Sequence, residues 1–297
     1  MKKNLFILAV ATLLMVGCDK GADTAVINPN EIRVEASMQS RASATTFEIG
    51  DKMALYAVEY NGEEVADIQV GGNFINGEAL TYNGTAWAGE RTLYWSENPC
   101  DFYGIYPYQE PNSMTNFLFE LPTNQNSPET EDTLSGYEAA DLMWAKATKA
   151  SREDGAVKLP FKHMMSKVIV KIVRGEAYEG ELPEDIVVHI YNTVTTAEVD
   201  FTHGSLQRYA YGEKNTITMK QLAGDTFAAI VVPQNIERRT PLVEITMEGI
   251  AYLLNYSTSF RPGYQHTITV TLNSSPEQEK IEISIDGEIE DWNKENA

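Results

Sequence analysis

Short runs in which apolar and polar residues alternate recur along the chain from about residue 31 onward. The first run places Ile32, Val34, Ala36 and Met38 on one face of an extended segment, which predicts a strand with one buried side. Further runs, rich in β-branched and aromatic residues, cover residues 53–59, 65–70, 79–82, 92–95, 101–106 and 117–121. Asn-Gly and Gly-Gly turn signals separate them without an intervening amphipathic helix, which predicts an antiparallel sandwich or barrel.

A second series of alternating runs follows a polar stretch and predicts a second domain. Residues 122–138 read as a long polar loop, and residues 150–155 read as a boundary between domains. The later runs cover residues 167–173, 186–191, 216–219, 226–232, 242–247, 266–272 and 280–285. We therefore predict an all-β chain with two tandem antiparallel β-sandwich domains, residues 31–150 and 151–297.

The first 17 residues have the composition of an export signal. Two lysines precede an uncharged run of 12 residues that ends at Gly17-Cys18. Such a run is shorter than the roughly 20 residues that span a bilayer, but it has the length of a signal-peptide core. Residues 14–18 resemble a bacterial lipobox, so we expect cleavage between Gly17 and Cys18 and acylation of Cys18. A plain secretory signal with an incidental cysteine is the alternative.

The expected mature chain would be tethered and acidic. Two or more acyl chains on Cys18 would anchor it without a transmembrane helix, and the polar residues 18–30 read as a flexible tether. Loss of the two leader lysines shifts the formal charge from −20 to −22, which argues against a nucleic-acid partner. Cys100 would then be the only thiol, so no internal disulfide is expected, and we predict that Cys100 is buried.

Known catalytic motifs are missing from the sequence. It contains no phosphate-binding glycine loop, no His-Glu-x-x-His, no Gly-x-Ser-x-Gly and no cysteine pair spaced for zinc. His189 and His266 lie inside strand patterns, which favours sheet histidines over metal ligands. We therefore predict a protein that is not an enzyme and that has no cofactor and no metal site.

A cluster of aromatic residues in the first half allows two interpretations. Its members are Trp87, Tyr94, Trp95, Phe102, Tyr103, Tyr106 and Tyr108. Because they lie within or beside strand runs, a role in the core is favoured. The alternative is a glycan-binding surface lipoprotein of the outer membrane that stacks sugars on these rings.

Six blocks of sequence, in order along the chain, resemble those of the fimbrillin-like proteins of Bacteroidales. They cover residues 47–56, 102–108, 141–145, 159–168, 229–234 and 289–292. The resemblance implies two transthyretin-like β-sandwiches, export as a lipoprotein to the outer-membrane surface, and assembly with other fimbrial subunits into a type V pilus. Surface glycans or proteins are further candidate partners of a related adhesin.

The resemblance also implies that an arginine-specific protease removes the lipidated segment with the first strand. The Arg41-Ala42 bond is the candidate because it directly follows that strand, whereas Arg33 lies inside it. Loss of a strand would expose unpaired backbone groups over bare core, and another subunit's strand could fill the groove. Such a head-to-tail contact does not close on itself, so it would build a filament.

The segment 280–285 is the candidate donor strand. Ile281, Ile283 and Ile285 place three isoleucines on one face close to the C-terminus. An ordinary final strand packed in its own domain is an equally good interpretation of the pattern. The position of the subunit in a fibre, as stalk, tip or anchor, stays open.

Overall fold

The computed structural model of the chain describes residues 28–38, 47–131, 133–273 and 283–293. Nearly all of its regular structure is β-strand, which confirms the predicted all-β class. In the described part of the chain, no helix has both the length and the apolar character needed to cross a membrane.

The described residues of the first half form nine strands and little helix. The strands are β1 (Val34–Met38), β2 (Lys52–Asn61), β3 (Glu64–Val65), β4 (Ile75–Tyr82), β5 (Trp87–Ala88), β6 (Cys100–Tyr106), β7 (Phe117–Glu120), β8 (Met143–Ala150) and β9 (Val157–His163). The predicted strand at 65–70 is reduced to β3, and residues 92–95 contribute only a bridge between Tyr94 and Glu31. A short helix, α1 (Gly136–Ala140), ends the predicted loop, and Ser135 and Glu138 cap it reciprocally.

The second half contains thirteen strands among the described residues. They are β10 (Ser166–Arg174), β11 (Val187–Val194), β12 (Thr196–Asp200), β13 (Ser205–Arg208), β14 (Lys214–Thr218), β15 (Lys220–Ala223), β16 (Thr226–Val231), β17 (Asn235–Ile236), β18 (Pro241–Met247), β19 (Ile250–Asn255), β20 (Thr258–Ser259), β21 (Tyr264–Leu272) and β22 (Ile283–Asp291). The last strand continues well beyond its predicted end at Ile285.

The largest sheet has eight strands and crosses the predicted domain boundary. Its order is β1-β9-β8-β6-β2-β4-β5, with β3 paired to β2. Strands β8 and β9 pair antiparallel, with Met143 opposite His163, so the predicted division at residues 150–151 separates two strands of one sheet. The turn signals at 151–155 form the tight connection between them, closed by a single 3-10 turn at Arg152–Asp154. Strand β7 likewise pairs with β12 from the other half.

The remaining strands form four smaller sheets. Their orders are β15-β16-β10-β21-β22, β14-β11-β18-β19, β13-β12-β7 and β17-β20. Pairing is antiparallel except between β1 and β9 and between β10 and β21, which are parallel. Strand β22 lies at the edge of its sheet, and its one partner among the described strands is β21.

Two apolar cores lie on opposite faces of the largest sheet. All seven residues of β6 are buried, and alternate side chains enter different cores, with Phe102 on one face and Tyr103 and Ile105 on the other. The core on the Phe102 face is here called the N-terminal core, and it comprises Ile32, Val34, Met53, Leu55, Ala57, Ile75, Leu80, Trp87, Cys100, Phe102, Tyr106, Met143, Ala145, Val157, Leu159 and Phe161. The main core, on the other face, is shared with the second half of the chain.

Candidate functional site

Strand β1 closes the N-terminal core from one edge of the largest sheet. It pairs with β9 over five consecutive residues, beginning with Val34 opposite Val157. Just before β1, on the side away from β9, the Ile32 amide donates to the Leu93 carbonyl oxygen at 2.9 Å. Among the described strands, β1 has no ladder partner besides β9. It is therefore an edge strand of the largest sheet and not an interior strand.

The apolar face of β1 faces the core, as its alternating sequence predicts. Ile32 and Val34 are each 8% exposed, and Ala36 and Met38 are half-buried against the same cluster. Burial of an isoleucine or valine contributes about 1.5–3 kcal/mol relative to exposure. The strand is therefore held by its side chains as well as by its ladder with β9.

Strand β9, which lies beside β1, packs its apolar side chains against β6. Leu159 and Phe161 are fully buried there. Phe161 lies across β6 at Gly104, where a Cβ atom would approach the Phe161 ring to 2.6 Å. Glycine is required at residue 104 because any larger residue would displace the Phe161 ring from this position.

The predicted processing residues Gly17, Cys18, Arg41 and Ala42 lie outside the described residues, as does Ile281 of the candidate donor strand. Arg33, the less favoured cleavage residue, is described. Its guanidinium donates to the Gly155 carbonyl oxygen at 2.8 Å, which ties β1 to the β8–β9 connection.

The candidate donor strand packs against its own domain in this structure. Strand β22 pairs with β21 over nine residues, from Ile283 opposite Leu272 to Asp291 opposite Tyr264. Ile283 and Ile285 are half-buried against the main core. Both interpretations that the sequence left open allow this placement, because a donor strand can pack in its own subunit before assembly.

Residues that follow β22 fasten it to the end of β9. The Asn293 side chain accepts a hydrogen bond from the His163 amide at 2.8 Å and donates to the His163 carbonyl oxygen at 3.0 Å. The Trp292 ring stacks on the His163 ring, with centroids 3.6 Å apart, and the Trp292 amide donates to the Gly263 carbonyl oxygen at 2.7 Å. We call His163, Trp292 and Asn293 the C-terminal latch.

A cleft of about 420 Å³ lies between the end of β1 and the latch, since both Met38 and Trp292 line it. It is lined further by Glu48, Asp51, Tyr106, Glu129, Leu134, Tyr137, Glu138, Asp141, Met143, Lys167, Lys220 and Leu222. Burial raises the pKa of Asp51, although its carboxylate accepts hydrogen bonds from the Glu48 amide and the Tyr106 hydroxyl. Burial also lowers the pKa of Lys167, whose ammonium lies 5.3 Å from the Trp292 ring centre.

The predicted core roles of Cys100 and most of the aromatic residues are confirmed. Cys100 is 1% exposed, and burial raises the pKa of its thiol to about 12. Trp87, Phe102, Tyr103 and Tyr106 are buried, and Trp95 and Tyr108 are partly buried. Tyr94 differs, with 54% of its surface exposed.

His189 and His266 occupy β11 and β21, as predicted. No group of three histidine, cysteine, aspartate or glutamate side chains within the described ranges is arranged to hold a metal ion.

The fold and site define an all-β protein whose distinctive features are its two terminal strands. The sequence profile of fimbrillin-like proteins matches residues 40–292, and the chain belongs to the fimbrillin-like family. None of the curated proteins compared with the chain matches it in sequence.

Solved structures show the same fold. A candidate cell adhesion protein of Bacteroides uniformis is 21% identical, with a TM-score of 0.64 over 88% of this chain and 98% of the other. One of Bacteroides ovatus is 16% identical, with a TM-score of 0.66 over 90% and 99%. A fimbrial protein of Bacteroides ovatus is 20% identical, with a TM-score of 0.53 over 83% of this chain and 50% of that one.

Sequence reasoning missed the C-terminal latch and the place of β9. Trp292 belongs to the last of the six blocks that resemble the fimbrillin-like proteins, but no sequence pattern indicates a role for Asn293. Val157, Leu159 and Phe161 alternate with Lys158, Pro160 and Lys162, and this period of two could have revealed β9 as a strand.

Proposed function

We propose that this chain is a subunit of cell-surface fimbriae, or a related adhesin, and that it assembles with other subunits by strand exchange. In this proposal the chain is exported, acylated at Cys18 and held at the outer-membrane surface. Cleavage after Arg41 then releases β1, and a strand from a neighbouring subunit takes its place.

The observation that carries the proposal is the position of β1. The strand ends at Met38, shortly before Arg41, and its one ladder partner in the described part of the chain is β9. Its loss would leave the edge of β9 without main-chain partners and would uncover Leu159 and Phe161. An unpaired strand edge above an apolar floor accepts an added strand readily.

The free energies involved favour replacement of β1 by another strand over a groove that stays open. Ile32 and Val34 alone contribute roughly 3–6 kcal/mol through burial. A folded domain is typically stable by only about 5–15 kcal/mol, so a processed subunit would be poorly stable until the groove is filled. A donor strand with alternating apolar side chains would restore both the burial and the hydrogen bonds.

The donor that we propose is the C-terminal segment with Ile281, Ile283 and Ile285. Ile283 and Ile285 alternate with more exposed residues along β22, which is the pattern that a half-buried groove accepts. Since β22 is an edge strand whose ladder partner within the described ranges is β21, its release would break one ladder and leave the other four strands of that sheet paired.

Cleavage-site variants test this proposal. The mature chain should be treated with an arginine-specific protease and run on gels in detergent without heating. We expect ladders of linked subunits from the wild type and from Arg33→Gln, but only monomers from Arg41→Gln. Clipping of the wild type after Arg41 without any ladder, or an unchanged ladder from Arg41→Gln, would contradict the proposal.

The glycan-binding alternative receives little support from the structure. It required a platform of exposed aromatic rings in the first half, but most of those rings are in the cores and only Tyr94 is largely exposed among them. We therefore do not propose it as a second function.

A further inference from the structure

We infer that β9 couples the two terminal strands, so that the loss of β1 loosens the latch that holds β22. The inference rests on the proposed function for its biological meaning, since it would make donor release follow acceptor formation. The coupling itself is a property of the folded chain before any cleavage, and it can be measured there.

The first part of the coupling is the dependence of β9 on β1. Residues Val157 to Phe161 of β9 pair with β1. Strand β8 pairs with β9 only at the two last residues, Lys162 and His163. For most of its length, β9 therefore has β1 as its ladder partner, and it would fray toward His163 if β1 left.

The second part is the attachment of the C-terminal latch to the end of β9. The Asn293 side chain hydrogen-bonds to both the amide and the carbonyl oxygen of His163, as the backbone of a residue on a neighbouring strand would. The position of the His163 backbone therefore decides whether both bonds form. His163 Nδ1 also lies 2.9 Å from Asp141 Oδ1, which fixes the ring on which Trp292 stacks.

The two contacts lie close together along β9. Phe161, opposite Met38 of β1, is two residues from His163, and the chain then turns into β10. Strand β10 pairs with β21, and β21 pairs with β22. Met38 and Trp292 also line the same cleft. A contiguous set of ladders and side-chain contacts thus joins β1 to β22.

Reciprocity provides a strict test, because a coupling free energy acts equally in both directions. Amide hydrogen exchange should be measured in the mature chain for β1, β22 and the reference strand β18, which pairs with neither. Val34→Ala should weaken β1, and Asn293→Ala should weaken the latch. The matched control is Glu35→Ala, which alters an exposed side chain on the same strand.

We expect Val34→Ala to raise exchange in β22 at least about fivefold, and Asn293→Ala to raise exchange in β1 by a similar factor. Exchange in β18 should change less than about twofold in both variants, and Glu35→Ala should leave β22 at the wild-type rate. If Val34→Ala speeds exchange in β1 alone, or in β18 as much as in β22, the coupling is refuted.

Failure of this inference and failure of the proposed function can be told apart. Absence of coupling, with ladders still forming after cleavage, would refute only the coupling. Coupling without ladders would refute only the assembly proposal.

Discussion

Substitution of Ile32 should accelerate assembly because it weakens the hold of the core on β1. The side chain is 8% exposed and belongs to the N-terminal core. Ile→Ala changes at buried sites cost about 2–5 kcal/mol. At the lower end of this range, β1 would leave its groove about 30 times more often, since each 1.4 kcal/mol corresponds to a factor of ten.

The assay is the rate of ladder formation after cleavage by an arginine-specific protease. A neighbour's strand can enter only when β1 has left, so the rate should follow the release of β1. We expect Ile32→Ala to assemble at least about tenfold faster than wild type once clipped, and Glu35→Ala, on the exposed face, to match wild type. Equal rates for Ile32→Ala and wild type, with cleavage complete in both, would refute the reasoning.

Three further predictions concern single side chains. Ile283→Asp should abolish ladders but leave a soluble monomer, because it charges the donor face at a half-buried position; unchanged polymerisation would count against this donor strand. Cys100 should resist thiol reagents at pH 8 until the chain unfolds, since its pKa is raised to about 12; rapid labelling of the folded chain would contradict this. Burial lowers the pKa of His266 to about 4, so the folded state holds this side chain neutral. Its contribution to the free energy of unfolding should be fully present above pH 6.5 and fall by up to about 3 kcal/mol toward pH 4. Urea midpoints measured across this range should lose that slope in His266→Phe and keep it in His203→Asn, whose side chain is 75% exposed in the wild type.

The strands were predictable where one face of a strand is buried. The alternation at Ile32 and Val34 is local, so the sequence alone shows which side chains enter a core. The partner of that strand could not be found in this way. Val34 lies opposite Val157, far along the chain, and nothing in either segment specifies a parallel pair with the other.

The connection at the predicted domain boundary could not be interpreted from the sequence for a related physical reason. Ser151 and Gly155 belong to turn signals that serve equally well in a linker and in a tight connection between paired strands. Only the register of β8 with β9 shows which of the two is present.

In the C-terminal strand, the alternation of apolar and polar residues predicted only part of what the structure shows. Ile283 and Ile285 marked its start, but Gly287 interrupts the alternation. In the structure this glycine lets the Tyr256 hydroxyl pack against the strand, where a Cβ atom would collide with it. The role of Asn293 depends on a backbone partner 130 residues away and has no local signature.

The most direct test of the central claim is N-terminal analysis of subunits recovered from detergent-resistant polymers on the cell surface. Strand exchange predicts polymer subunits that begin at Ala42, with the residues of β1 absent. Linked subunits that still carry Val34 and an acylated Cys18 would contradict it.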